Sequence, residues 1–212
     1  MRGYLVHPAG TGPFPAVLIV HENRGLNPHI EDVARRAALD GFVALAPDAL
    51  YPLGGYPGND DDGKVMQKKL NRGKIRVDML NSAKWLKKHA LSNGKLGATG
   101  FCFGGGVVNY LAVQMGSDLQ AGAPYYGRVA KSEDVHKIKA AMMVHFAEND
   151  KRINKGRAGY AAALKENNVT HEIYTYPGTR HGFHNNSTKR FNEEQAKLSW
   201  TRTMDFFKKH LM

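Results

Sequence analysis

Short apolar runs alternate along this chain with stretches of helical period, and that alternation narrows the fold more than any other feature. PAVLIVH at 15–21 and FVALAP at 42–47 have the length and apolar continuity of strands buried on both faces. KLGAT at 95–99, LQAGAPYY at 119–126, KAAMMVHF at 139–146 and HEIYTY at 171–176 extend the series. Between the first two runs, PHIEDVARRAALDG places Ile30, Val33, Ala34 and Ala37 at helical spacing, with Gly41 as the stop. Residues 64–90 carry Ile75, Met79, Ala83 and Leu86 on one helical face, and further helical stretches fall near 156–168 and 192–210. Repeated strand–helix units imply an α/β fold with a mostly parallel sheet covered by helices on both faces. Residues 48–63, rich in proline, glycine and aspartate, are expected to form a long loop. No repeat or linker interrupts the pattern, so residues 1–212 are expected to form one domain.

The net charge of +11 raises the question of nucleic acid, since lysines and arginines crowd residues 64–90. No aromatic alternation, zinc spacing or recognised nucleic-acid motif accompanies them, so they read as the solvated face of a helix or helix pair. Their field would still favour anionic small molecules. No run approaches the ~20 apolar residues of a membrane span, and MRGYLVHPAG lacks the apolar region of a secretory signal. The expected compartment is the cytoplasm unless an export signal lies upstream, and the expected state is a monomer or weak homo-oligomer.

The single cysteine, Cys102, rules out an internal disulfide framework. It stands in GFCFGGG, a G-x-C-x-G pattern between an apolar run and a helical stretch. This is the nucleophile-elbow pattern with sulfur in place of a serine oxygen. A sharp strand-to-helix turn needs small neighbours, and it sets the sulfur at a helix N-terminus. The backbone N–H of Phe103 can then face a developing oxyanion. Phe101, Phe103, Tyr125 and Tyr126 are expected to gather around the nucleophile, with Phe101, Tyr125 and Tyr126 as candidates for substrate contact.

A nucleophile of this kind requires a base and an orienting acid, in the chain order nucleophile, acid, histidine. Asp150 follows the run AAMMVHF in the loop AENDKRIN, and His181 follows HEIYTY in PGTRHGFHNN. Loops past the ends of parallel strands are where catalytic groups collect. Glu148 competes with Asp150 for the acid, and His184 with His181 for the base. His145 lies within a strand-like run and reads as a core histidine. H-G-F-H lacks a second ligand cluster, so neither a metal nor a cofactor is expected.

The chain resembles the dienelactone hydrolase family of the α/β-hydrolase superfamily. VHENRGLNPHIEDVARRAALDGFVALAPD, the GFCFGG elbow, PYYG, the END loop and YPGTRHGF carry the likeness from about residue 15 to 210. The spacings agree as well, with 48 residues from Cys102 to Asp150 and 31 from Asp150 to His181. The resemblance implies a Cys102–His181–Asp150 triad and an oxyanion hole from the backbone N–H groups of Asn23 and Phe103. It also implies a glutamate, Glu22, bonded to a protonated resting thiol. Glu22 ends a buried strand-like run, where a carboxylate has little structural justification; pairing with Arg24 or Arg35 is the alternative. The implied activity is hydrolysis of a small carboxylic ester or lactone through an acyl-thioester. A broader carboxylesterase or thioesterase, or a non-catalytic pocket protein, are the alternatives.

Two departures stand out. Asn185 occupies the place of the arginine that holds the substrate carboxylate in family members that open dienelactones. Arg72 and Arg76 of the helical region are the alternative source of positive charge, and weak discrimination between neutral and anionic esters is expected at physiological salt. MRGYLVHPAG also reads as the second strand of an edge hairpin whose first strand is missing.

Overall fold

The computed structural model of the protein describes residues 2–212. Its strands and helices run β1 (Arg2–Val6), β2 (Phe14–Val20), α1 (Pro28–Leu39), β3 (Val43–Asp48), α2 (Asp60–Lys68), α3 (Arg72–Lys87) and β4 (Ser92–Phe101). They continue with α4 (Phe103–Met115), β5 (Ala121–Tyr125), β6 (Ala141–Asn149), α5 (Lys151–Asn154), α6 (Arg157–Glu166), β7 (His171–Arg180) and α7 (Glu193–Leu211). The seven strands form one sheet in the order β1-β3-β2-β4-β5-β6-β7. β1 pairs antiparallel with β3 at the edge, and the remaining strands are parallel.

The apolar helix faces read from the sequence cover the two sides of this sheet. Ile75, Met79, Ala83 and Leu86 of α3 pack with α4 and α6 on one face. Ile30, Val33, Ala34 and Ala37 of α1 pack with Trp200, Met204 and Phe207 of α7 on the other. Both faces of β2 to β6 are thereby removed from water, which is why those strands are continuously apolar rather than alternating.

Three local expectations are corrected. The helical period at 64–90 divides into α2 and α3, each with its own N-cap: Asn59 accepts from the Asp62 N–H and Asn71 from the Lys74 N–H. The expected loop at 48–63 therefore ends early, because Asp60, Asp61 and Asp62 supply the acidic first turn of α2. The Pro177–Gly178 pair does not end β7; Gly178 takes φ +67° and the strand continues to Arg180 beside Asn149.

The chain reverses its direction of travel across the sheet between β2 and β4. In open parallel sheets, the carboxyl ends of strands at such a point form a crevice. Glu22 follows β2 there, and Cys102 follows β4. Packing at this point is close enough to demand glycine. A Cβ on Gly104 would overlap the Val20 carbonyl oxygen and stand 2.7 Å from that of His21. Gly104→Ala is expected to cost about 2–3 kcal/mol or more, since α4 cannot back away without leaving the sheet. Urea denaturation reads this directly, and a change below about 0.5 kcal/mol would show that α4 can shift.

Candidate active site

Cys102 occupies the N-cap of α4 with φ +55° and ψ −108°, a conformation that L-residues rarely adopt. Its N–H bonds to the Tyr125 carbonyl at 3.1 Å, and its carbonyl accepts from Gly106 at 3.3 Å. The turn is thus fixed at both ends, and the sulfur projects from the tip of β4.

His181, one residue past β7, lies against that sulfur, with Nε2 2.9 Å from Sγ. Its Nδ1 donates to Asp150 Oδ2 at 2.5 Å. Asp150 is 7% exposed, and its other oxygen accepts from the Ile153 N–H at 3.3 Å, capping α5. That short helix, which the periodicity of the sequence does not reveal, locks the carboxylate by one oxygen and leaves the other for His181. Glu148 is exposed instead and accepts from the Gly178 N–H at 2.8 Å, a surface turn contact. His184 is buried against Phe101, with ring centroids 4.7 Å apart. The structure therefore gathers Cys102, His181 and Asp150, and leaves both rivals outside.

Glu22 is buried to 5% exposure behind the elbow. Asn185 Nδ2 donates to its Oε2 at 2.5 Å, and the Tyr126 hydroxyl donates to its Oε1 at 3.3 Å. Arg24 Nε lies 3.8 Å away, so the pairing with Arg24 is real, whereas Arg35 sits on the surface with Glu31 and Asp32. Burial raises the Glu22 carboxyl above its ordinary range, against the Asn185 bond and the Arg24 charge. Burial likewise pushes the Cys102 thiol up to about 12, with the Glu22 charge adding to it. The facing Phe103 N–H and the charges of Arg152 and Arg190 act in the opposite sense. The sulfur's hydrogen-bond partner is His181, whereas Glu22 is engaged by Asn185 and Tyr126.

Asn23 and Phe103 line a cavity of about 760 Å³ that opens at Cys102. Four other candidates fall elsewhere, among them Tyr126, which is buried with its hydroxyl on Glu22. Phe101 is fully buried beneath the elbow. Tyr125 directs its hydroxyl to Ser199 O at 2.9 Å and to Thr203 Oγ1 at 2.6 Å. Its ring stacks on His145, which is held neutral by burial, with its pKa lowered to about 3. These residues belong to the core under α7. Asn185 is fully buried and reaches Glu22 rather than the cavity.

Asp60 is the residue that sequence reasoning missed. It accepts from Asn27 Nδ2 at 2.9 Å, Tyr56 Oη at 3.0 Å, Arg24 Nη1 at 3.2 Å and Ser187 Oγ at 2.8 Å. Ser187 in turn donates its N–H to Asn185 Oδ1 at 2.8 Å, fixing the amide that holds Glu22. Burial alone would raise the Asp60 pKa, but donation from Asn27, Ser187 and Tyr56 holds it below the ordinary range. Its run of three aspartates offered only a helix-start signal. The partners lie far away in sequence.

A model of the dienelactone hydrolase family matches residues 1–211. The chain belongs to the dienelactone hydrolase family. Over 72 residues it is 62% identical to "Putative hydrolase fragment YghX" of Escherichia coli strain K12, a match covering 34% of this chain and 62% of that protein. "Protein usf" of Aquifex pyrophilus is 32% identical over 222 residues, covering 100% of this chain and 94% of that protein. A crystal structure titled "Putative Dienelactone Hydrolase", from Klebsiella pneumoniae, superposes with a TM-score of 0.84 at 27% identity. That alignment covers 97% of this chain and 92% of the other. The α/β-hydrolase fold expected from the elbow and the alternating pattern is the fold of this dienelactone hydrolase family member. Among the described residues, no helix is long and apolar enough to cross a membrane.

Proposed function

We propose that this family member hydrolyses carboxylic esters or lactones with Cys102 as nucleophile, His181 as general base and acid, and Asp150 as orienting acid. The observation that carries the proposal is the contact of His181 Nε2 with Sγ at 2.9 Å while Nδ1 is held by Asp150. A thiol with a pKa near 12 is protonated at neutral pH, so attack needs a base at the moment of reaction. His181 takes the S–H proton as sulfur adds to the carbonyl carbon. The resulting oxyanion faces the Phe103 and Asn23 N–H groups. Collapse breaks the bond to the alkoxide, which leaves with the proton from His181, and an acyl-thioester remains on Cys102. A water deprotonated by His181 then adds to that thioester, and the thiol departs with its proton restored.

Glu22 is proposed to act beside this relay. Its buried charge disfavours a free thiolate and supports the imidazolium that forms at His181, and substrate entry releases it to share in taking the thiol proton.

The test is a panel of activated esters and lactones offered to the wild type and to Cys102→Ala, with intact-mass analysis of the quenched enzyme. Cys102-dependent hydrolysis and an acyl mass on the wild type are expected. A Cys102→Ala variant as active as the wild type would overturn the assignment.

Tyr126→Phe tests the environment of Glu22. A hydroxyl that touched substrate would raise KM on removal, and pure packing would change nothing. Donation to Glu22 instead predicts a kcat lowered about 3- to 10-fold, the effect of losing a long hydrogen bond worth about 1 kcal/mol. The acidic limb of the kcat profile should move to higher pH, because the carboxylate loses a donor that favours its ionised form. An unchanged pH profile would place the hydroxyl outside the relay.

A further inference from the structure

The cavity at Cys102 is lined by Lys64 and Lys68 of α2, Arg72 and Arg76 of α3, Arg128 and Lys131 beyond β5, and Arg152 of α5. Lys131 pairs with Glu133 at 3.3 Å, but among the described residues none of the other six forms a salt bridge. Elsewhere on the surface, cations do find partners, as with Arg36 and Asp32 at 2.8 Å or Lys208 and Asp40 at 2.8 Å. The acidic side chain in the lining, Asp134, is engaged by Lys137 at 2.6 Å. The floor between the cations is apolar, with Ile75, Val107, Tyr110 and Val129, and Arg76 lies over the Tyr110 ring at 5.4 Å.

A cleft lined by one sign of charge concentrates field within it and selects the opposite charge in what enters. The cost of holding these six cations together unpaired has no structural return, because they brace no neighbouring carboxylate. The volume of about 760 Å³ lies in the range that accepts a drug-sized molecule rather than a single small ring.

Resting on the hydrolase reading above, we propose that the substrate is an elongated ester bearing two or more acid groups on an apolar frame. The reacting carbonyl sits at Cys102, and the acid groups spread over the cations of α2, α3 and the strand-end loops. The carboxylates of an oligocarboxylic acid and a phosphate-type dianion share the chemistry that this rim recognises. Because the six cations are exposed, their grip weakens as salt rises. Weak discrimination, as expected from Asn185, holds for a single charge, while several charges add to a clear preference.

The experiment uses p-nitrophenyl esters with one leaving group and graded acyl charge: acetate, hydrogen succinate, the mono-ester of tricarballylic acid, and 3-phosphonopropionate. At about 20 mM ionic strength, kcat/KM should rise about fivefold per added negative charge, mainly through KM, as expected for exposed pairs. At about 500 mM it should converge to within about twofold. Arg72→Gln/Arg76→Gln should shrink the ratio of tricarballylate to acetate ester, and circular dichroism would verify its fold. A preference for the phosphonate over the equally charged tricarballylate ester would assign a phosphate-type group, and the reverse an oligocarboxylate. Equal kcat/KM across the series at low salt, with Cys102-dependent acetate ester turnover intact, would overturn the charge proposal alone. Failure to hydrolyse any member would remove the hydrolase reading itself. Calorimetry of tricarballylate with Cys102→Ala gives a reading without turnover: salt-sensitive binding supports the proposal, and no binding at low salt counts against it.

Discussion

Cys102→Ala is expected to abolish ester turnover, and His181→Ala to lower it by about 10³-fold or more, because members of a coupled triad fail together. Asp150→Asn should also be severe, but less damaging than loss of the nucleophile. The structure explains that ordering. An asparagine can still accept from the Ile153 N–H through its oxygen, so α5 and the loop persist. Its amide nitrogen then faces His181 Nδ1 where Asp150 Oδ2 accepted a proton, favouring the tautomer that points a proton at the sulfur. That tautomer cannot receive one. Glu148→Gln should change turnover less than twofold, since its carboxylate serves an exposed turn at Gly178. If Glu148→Gln proved more damaging than Asp150→Asn, the proposed acid would be wrong. Kinetics on one activated ester, with each variant's fold verified by circular dichroism, decides among these outcomes.

What could be read from the sequence follows the range of the forces involved. Strand and helix identities were legible because burial imposes a local period. The sheet's two covered faces left β2 and β3 continuously apolar, and α1, α3 and α7 striped. The elbow was legible because its glycines answer a steric demand within five residues of chain. The places of Asp150 and His181 followed from topology, since loops past parallel strands converge. Long-range polar contacts left no such trace. Nothing in DDDG announces that Asp60 will gather Arg24, Asn27, Tyr56 and Ser187. Nor does proximity in sequence tell where neighbouring buried rings aim their hydroxyls: Tyr125 bonds under α7, and Tyr126 reaches Glu22. The basic residues at 64–90 look like a solvated face in sequence, and only the fold turns several of them toward the cavity at Cys102.

Glu22→Gln is expected to move three observables in directions that no purely structural role combines. Turnover should fall by about 10²-fold or more, because the variant can neither accept the thiol proton nor support the imidazolium at His181. Alkylation of Cys102 by iodoacetamide at pH 7 should be slow in the wild type, where a thiol pKa near 12 leaves about one thiolate in 10⁵. It should be faster in the variant, since the repulsion between two buried anions is gone. Stability should change with a definite sign. Burial raises the Glu22 carboxyl above its ordinary 4.5, so over that interval the native state holds a proton that the unfolded chain has released. Stability from this group is therefore present below pH 4.5, is lost as pH rises through the interval, and stays lost above the folded value. A neutral glutamine escapes that loss, so Tm of Glu22→Gln should exceed that of the wild type at pH 8, with the advantage shrinking toward pH 4. A slower enzyme that is more stable and more readily alkylated would mark Glu22 as a charge kept for chemistry at the expense of the fold. Rapid alkylation of the wild type, together with near wild-type turnover in Glu22→Gln, would refute this role. His181 alone would then generate the attacking sulfur, and Glu22 would serve only to anchor Asn185 and Tyr126 behind the elbow.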